Sequence, residues 1–175
     1  MHFILKSERG GTLKPAGLKK IGAAMARRLK QKGKAEAFIT TAGEAKMRLL
    51  NRSWRGKDKA TNVLSYPQFE ATYLPTAFQK TGKHSALYIG DILLCLPMIK
   101  AEARCLKKPV NHHLTHLVVH GLLHLLGYDH VVARQARLME KLEIAVLADL
   151  GLPDPYVIDA PVFKKPRKTK AVRRA

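Results

Sequence analysis

Residues His116 to His130 read HLVVHGLLHLLGYDH, and three histidines in this stretch decide how the rest of the chain is read. His120 and His124 are four residues apart, so on a helix they lie one turn above each other on one face. Two imidazoles at that spacing can share one divalent ion, as in the H-E-x-x-H helix. Gly127 permits the left-handed backbone that ends a helix. The turn through Tyr128 and Asp129 can then bring His130 back toward the same ion. Three protein ligands with a fourth position open is the catalytic form of a zinc site, because water or substrate must reach the metal.

The spacing H-x3-H-x5-H is shared with the metzincin proteases. The glutamate that serves those enzymes as general base is Gly121 here. A hydrolase without that carboxylate lacks the group that takes the proton from the attacking water. His116, four residues before His120, offers an alternative pair. Only His120 and His124, however, sit one turn before the glycine that turns His130 inward.

Working outward, Phe3-Ile4-Leu5 is a candidate edge strand. Pro15 to Lys32 places Leu18, Ile21, Ala24 or Met25, and Leu29 at helical period, and Gly33 ends it. Its outer face carries Lys19, Lys20, Arg27, Arg28, Lys30 and Lys32, a candidate surface for a polyanion. Ala35 to Thr41 alternates as a strand, Gly43 to Asn51 reads as a short helix, and Ala60 to Tyr66 contains a strand closed by Pro67. Between the last two lies Arg52-Ser53-Trp54-Arg55-Gly56-Lys57-Asp58-Lys59. It is dense in cations, carries the single tryptophan, and is a candidate phosphate-binding loop.

Gln68 to Ala86 reads as a long irregular stretch, and its His84 is not favoured as a ligand. Leu87 to Leu96 is an apolar strand interrupted at Gly90-Asp91. Helices are expected at Pro97 to Lys107, from Pro109 to about Leu126, and at Val131 to Leu150. His112 and His113 are expected at the surface of the motif helix. The last helix is expected to present Ala133, Leu138, Leu142, Ala145 and Val146 on one side before Gly151-Leu152-Pro153 stops it.

The chain has 175 residues, which suits one domain with one core. No apolar run is long enough to span a bilayer, and the N-terminus lacks the apolar region of a signal peptide. Cys95 and Cys105 give neither a disulfide framework nor a metal quartet, and fit small buried hydrophobes in a reducing cytoplasm. Charge is more informative: 32 lysines and arginines face 13 acids, a formal net charge of +19. Such an excess favours a polyanionic partner, since each neutralised phosphate releases counterions. A membrane surface lacks support, because no basic amphipathic helix adjoins a lipidation signal.

The run from His120 to His130 resembles the signature of the YbeY family of rRNA maturation factors, single-domain metal-dependent endoribonucleases. The resemblance extends to Leu50–Pro67 (LNRSWRGKDKATNVLSYP) and to Gly90-Asp91-Ile92, and covers roughly Phe38 to Tyr156. It implies an α/β (α+β-like) fold: a small mixed sheet of about four strands flanked by helices, with the metal site at the end of a central helix. It also implies cleavage of single-stranded RNA, in maturation of the 3′ end of small-subunit (16S) ribosomal RNA and in ribosome quality control. The implied partners are ribosomal RNA and the small ribosomal subunit or its assembly factors, in the cytoplasm. His120, His124 and His130 are the expected ligands of one Zn²⁺ per chain. Arg55 matches the family's arginine, whose guanidinium can hold two phosphate oxygens at once. His116 and Asp129 are candidates for orienting the ligands.

Two departures stand out. The family strand usually reads Thr-Asp-Val-Leu-Ser-Phe, whereas Asn62 and Tyr66 replace its aspartate and phenylalanine here. The loop after Pro67, often acidic in the family, holds only Glu70 before Asp91. Two alternatives differ in class. A zinc metallopeptidase is opposed by Gly121. A non-catalytic rRNA-binding assembly factor would use its zinc only to tie the last helix to the motif helix.

Residues 1–160 are expected to form the single domain, and 161–175 a basic, disordered tail with seven cations and no acid. If three to six of those cations reach phosphates, deleting the chain after Phe163 should weaken RNA binding for all sequences. It should also flatten the slope of log affinity against log salt by roughly 2 to 4 units. Superimposable salt titrations of the full-length and truncated chains would show that the tail makes no contact with RNA.

Overall fold

The computed structural model describes residues 2–7, 14–29, 33–82 and 84–157. The basic tail therefore lies outside the described residues, as do Lys30 and Lys32. In chain order the elements are β1 (His2–Ser7), α1 (Pro15–Arg28), β2 (Lys34–Thr41), α2 (Glu44–Arg55), β3 (Val63–Pro67), α3 (Leu74–Lys80), β4 (Leu87–Leu94), α4 (Leu96–Cys105), α5 (Val110–Leu125) and α6 (Ala133–Asp149). The strands form one sheet in the order β1-β2-β4-β3. β1 and β2 are parallel, as are β2 and β4, and β3 runs antiparallel to β4. The expected small mixed sheet is therefore present.

Side-chain alternation explains which face of the sheet is covered. In β2 the residues Ala35, Ala37 and Ile39 are buried. In β4 the pattern changes phase: Ile89 and Ile92 are both fully buried although three residues apart. A strict period of two forbids that, and a bulge resolves it. The β2–β4 register shifts between Glu36 and Ala37, which pair with Tyr88 and Gly90 and leave Ile89 as the extra residue. Gly90 takes φ +133°, and a Cβ there would lie 2.1 Å from the Tyr66 carbonyl oxygen. Only glycine fits, so Gly90 interrupts the apolar run without ending the strand.

Helix α5 is apolar over most of its circumference, with Leu114, Leu117, Val118, Val119, Leu122, Leu123 and Leu125 buried and a histidine stripe on the remaining face. That composition marks an interior helix. It packs against β3 and β4 on one side and against α1, α4 and α6 on the others. Gly121 lets it approach the sheet closely. A Cβ there would meet Ile92 Cδ1 at 2.9 Å and Ser65 Oγ at 3.1 Å. A smaller core of Ala42, Met47, Leu64 and Cys95 supports α2 at the sheet edge.

Several local expectations change. The stretch from Gln68 to Ala86 contains α3, which Pro75 helps to start because its fixed φ suits a first helical turn. His113 is buried at 9% exposure rather than at the surface, with Nε2 2.7 Å from Glu102 Oε2. His112 is partly buried. Cys105 is exposed, while Cys95 is buried as expected. The buried face of α6 is Met139, Glu143, Val146 and Leu147, and Leu138 is 51% exposed. The helix is rotated from the expected face because it packs against both α1 and α5, and α5 offers imidazoles as well as aliphatic groups. On α1, Arg27 and Arg28 ion-pair with Asp149 of α6, so these two cations hold helices together.

Gly121→Glu tests how tightly α5 is held. The substitution forces a buried, unpaired carboxylate against Ile92 and should destabilise the chain by about 3 kcal/mol or more. Urea unfolding measures this, and a midpoint equal to that of the unsubstituted chain would mean that the helix lifts off the sheet freely.

Candidate metal centre and cleft

Helix α5 delivers His120 and His124 from successive turns, with their ring centroids 4.6 Å apart and their Nε2 atoms 3.1 Å apart. The helix ends as the glycine requires. Gly127 takes φ +83°, its N–H donates to the His124 carbonyl at 2.9 Å, and the Tyr128 N–H donates to the Leu123 carbonyl at 3.0 Å. This reversal brings the His130 ring to 5.5 Å from His120 and 5.1 Å from His124. Each of the three imidazoles offers a nitrogen within 4.8 Å of the other two. Nitrogen ligands at zinc distances in a tetrahedron stand about 3.3 Å apart, so the donor set could close on one ion with small movements. His120 and His124 are partly buried and His130 is exposed, which leaves one side open to solvent.

His116 does not join this group. Its Nε2 donates to Glu143 Oε2 at 2.6 Å, and His120 Nδ1 donates to Glu143 Oε1 at 2.9 Å. The Tyr156 hydroxyl adds a third bond to the same carboxylate at 2.5 Å. Burial alone would push the Glu143 carboxyl up, but the bonds from His116, His120 and Tyr156 outweigh it and bring it down to about 2. With its Nδ1 proton committed to Glu143, His120 turns Nε2 toward His124. Burial, with His120 and His130 close by, lowers His124 to about 4, so its imidazole is neutral and ligand-competent at neutral pH. Asp129 accepts a bond from the backbone N–H of His130 at 2.7 Å, so it fixes the turn rather than the ring.

The sequence reading missed Glu143 and Tyr156. A usable signal existed for the first: Glu143 stands at i+4 from Met139 and at i−4 from Leu147, on the apolar stripe of α6. A carboxylate there must find donors once it is buried. Nothing in the sequence marks Tyr156 as its partner.

The three imidazoles open onto a cavity of about 760 Å³ that Trp54, Arg55, Ser65, Phe69 and Tyr128 also line. Arg55 comes from the last turn of α2, and Gly56 at φ 68° ends that helix. The following loop is braced by side chains: Arg48 forks onto Asp58 at 2.8 and 2.9 Å, and Asn51 Nδ2 donates to the Lys59 carbonyl at 2.7 Å. Among the described residues no carboxylate pairs with Arg55. Asn62 donates to Glu102 Oε2 at 2.9 Å, the oxygen that also meets His113. An aspartate at 62 would instead set its charge against that of Glu102, so the amide suits this neighbour. His84 is exposed and does not belong to the cluster.

A family profile described as "Endoribonuclease YbeY" matches residues 14–151. A Sinorhizobium medicae protein named Endoribonuclease YbeY is 45% identical over 122 residues, covering 70% of this chain and 68% of that protein. A Rhizobium etli protein of the same name is 46% identical over 121 residues, covering 69% and 66%. The chain thus spans about two thirds of the length of these curated relatives. A solution structure of a Thermotoga maritima protein shares the fold, with a TM-score of 0.52 at 22% identity, covering 85% of this chain and 91% of that one.

The charge network has a pH signature in the metal-free chain. His124 and Glu143 both titrate lower when folded than when unfolded, so the fold is more stable at neutral pH, where both are deprotonated, than in acid: Glu143 through its bonds as a carboxylate, His124 by avoiding the cost of a buried charged ring. The His124 contribution should be lost as pH falls from about 6.5 to 4, and that of Glu143 from about 4.5 toward 2. His124→Ala should remove the upper limb of the stability–pH curve and Glu143→Gln the lower one. Glu143→Ala should cost about 3 kcal/mol at pH 7, because it strands buried donors. Urea unfolding across pH reads all three, and curves parallel to that of the unsubstituted chain would deny the network its role.

Proposed function

We propose a function from one established premise, that the chain belongs to the YbeY family of endoribonucleases. The chain is a metal-dependent endoribonuclease that cuts single-stranded RNA in maturation of the 3′ end of small-subunit ribosomal RNA. The observation that carries this reading is one cavity lined by both Arg55 and the His120, His124 and His130 cluster. Metal-assisted cleavage of a phosphodiester uses a Lewis acid and a group that stabilises the extra negative charge of the transition state; the histidine cluster could hold the first and Arg55 supplies the second.

In this reading His120, His124 and His130 hold one Zn²⁺, since three imidazoles with an open position suit that ion. When bound, the ion supplies a Lewis acid at a phosphoryl oxygen and lowers the pKa of a bound water. Glu143 keeps the Nδ1 proton of His120, so that Nε2 presents its lone pair. Arg55 binds the phosphate through two N–H groups and stabilises charge as it builds. Asp129 holds the turn that carries His130. Residues 1–160 act as the catalytic domain and 161–175 as a basic extension toward RNA.

No carboxylate occupies position 121, and a Cβ there would press on Ile92 Cδ1 at 2.9 Å and Ser65 Oγ at 3.1 Å. That disfavours a peptidase of the metzincin kind. No helix among the described residues is long and apolar enough to cross a membrane. We place the protein in the cytoplasm, with the small ribosomal subunit or its assembly factors as partners.

The test joins metal content to turnover. His120→Ala, His124→Ala and His130→Ala should each lower bound metal below one ion per chain, and His112→Ala should not. Arg55→Lys should keep metal and fold yet cut RNA on the order of 10²-fold more slowly, because lysine cannot form the fork. Full metal occupancy in His130→Ala would sink the three-ligand site. Absence of RNA turnover by a metal-stripped and reconstituted sample would favour the assembly-factor alternative.

A further inference from the structure

Trp54 is the single tryptophan of the chain, and it is 61% exposed. It sits in the last turn of α2, beside Arg55, and lines the same cavity as the three histidines. An indole that exposed cannot have both faces covered by protein, so apolar ring surface stands open to water at the mouth of a polar cleft. The ring is held in place. Tyr66 on β3 meets it at 5.0 Å between centroids, with the planes 71° apart. The turn that follows is braced by the Arg48–Asp58 fork and by the Asn51–Lys59 bond. This is a braced aromatic platform next to a guanidinium that pairs with no carboxylate among the described residues, rather than a loose surface side chain.

On the basis of the endoribonuclease reading, we infer that Trp54 stacks an unpaired base of the RNA, beside the phosphate held by Arg55. Both side chains line the one cavity, so they can reach groups belonging to one nucleotide or to adjacent ones. A base inside a duplex has both faces covered by its neighbours, and cannot offer one to an indole without leaving the stack. An unpaired base can. Every base has a π-face, so the contact selects for strandedness and not for sequence. Trp54 is therefore a specificity-determining residue: it makes single-stranded RNA the better substrate, while Arg55 and the histidines act on the phosphate.

Because Trp54 is the only tryptophan, the unmodified holoenzyme reports on itself. In stopped-flow mixing, a single-stranded oligoribonucleotide should quench its emission before any cleavage, and a hairpin of the same composition should quench far less. A single strand of the same length made wholly of abasic nucleotides should bind more weakly and leave the emission unchanged. Trp54→Ala should raise KM for the single strand about tenfold, with a much smaller fall in kcat, and Trp54→Phe should recover most of the loss. Trp54→Phe also keeps a ring against Tyr66, so it remains informative if the alanine variant unfolds. RNA that binds by anisotropy and is cut at normal rates, with emission unchanged and KM unchanged in Trp54→Phe and Trp54→Ala, would overturn the stacking role and leave the endoribonuclease reading intact. RNA that neither binds nor is cut would overturn both. A quench produced by a protein partner but not by RNA would also overturn it.

Discussion

The buried carboxylate of Glu143 is the contact on which the rest of the centre depends. It is fully excluded from solvent, and its two oxygens accept bonds from His116, His120 and Tyr156. A lone carboxylate in that position would strongly destabilise the fold, and three donors make it tolerable. The same contacts join α5, α6 and the segment after α6 at one point. They also select which nitrogen of His120 faces the other imidazoles. Helix packing and ligand orientation are thus a single interaction seen from two sides.

A second constraint acts on the opposite face of α5. Gly121 brings the helix down onto Ile92 and Ser65, and this close approach sets where its C-terminal turn emerges relative to the sheet. The position that carries the base in a metzincin is here used for packing. From that turn His120 and His124 face the cavity that Arg55 lines from α2. The two halves of the cleft come from different sides of the sheet edge: the histidines from the interior helix, the arginine from a helix resting on a small separate core.

Charge works at two ranges. The excess of cations, +19 in all, attracts a polyanion over the whole surface. At short range the cations are sorted by partner. Arg48 is spent on Asp58, and Arg27 and Arg28 on Asp149, whereas Arg55 has no carboxylate among the described residues. Among the described residues that line the cleft, Arg55 is an arginine with no carboxylate paired to it, so its guanidinium can meet a phosphate.

Much of this was legible in the sequence, because its determinants are local. The i,i+4 histidines and the glycine that reverses the helix lie within eleven residues, and helical geometry alone brings their rings together. The period of the apolar residues found α1, α5 and the strands for the same reason. What the tertiary structure decided was every pairing across long separations. Glu143 lies 23 residues from His120, and Glu102 lies 40 from Asn62. His113 looked like a surface residue because no local pattern announces the carboxylate that buries with it. Glu143 was missed because a helix wheel shows which side is apolar and not what faces it. A buried polar group is defined by its partner, and the partner is chosen by the packing of elements far apart in the chain.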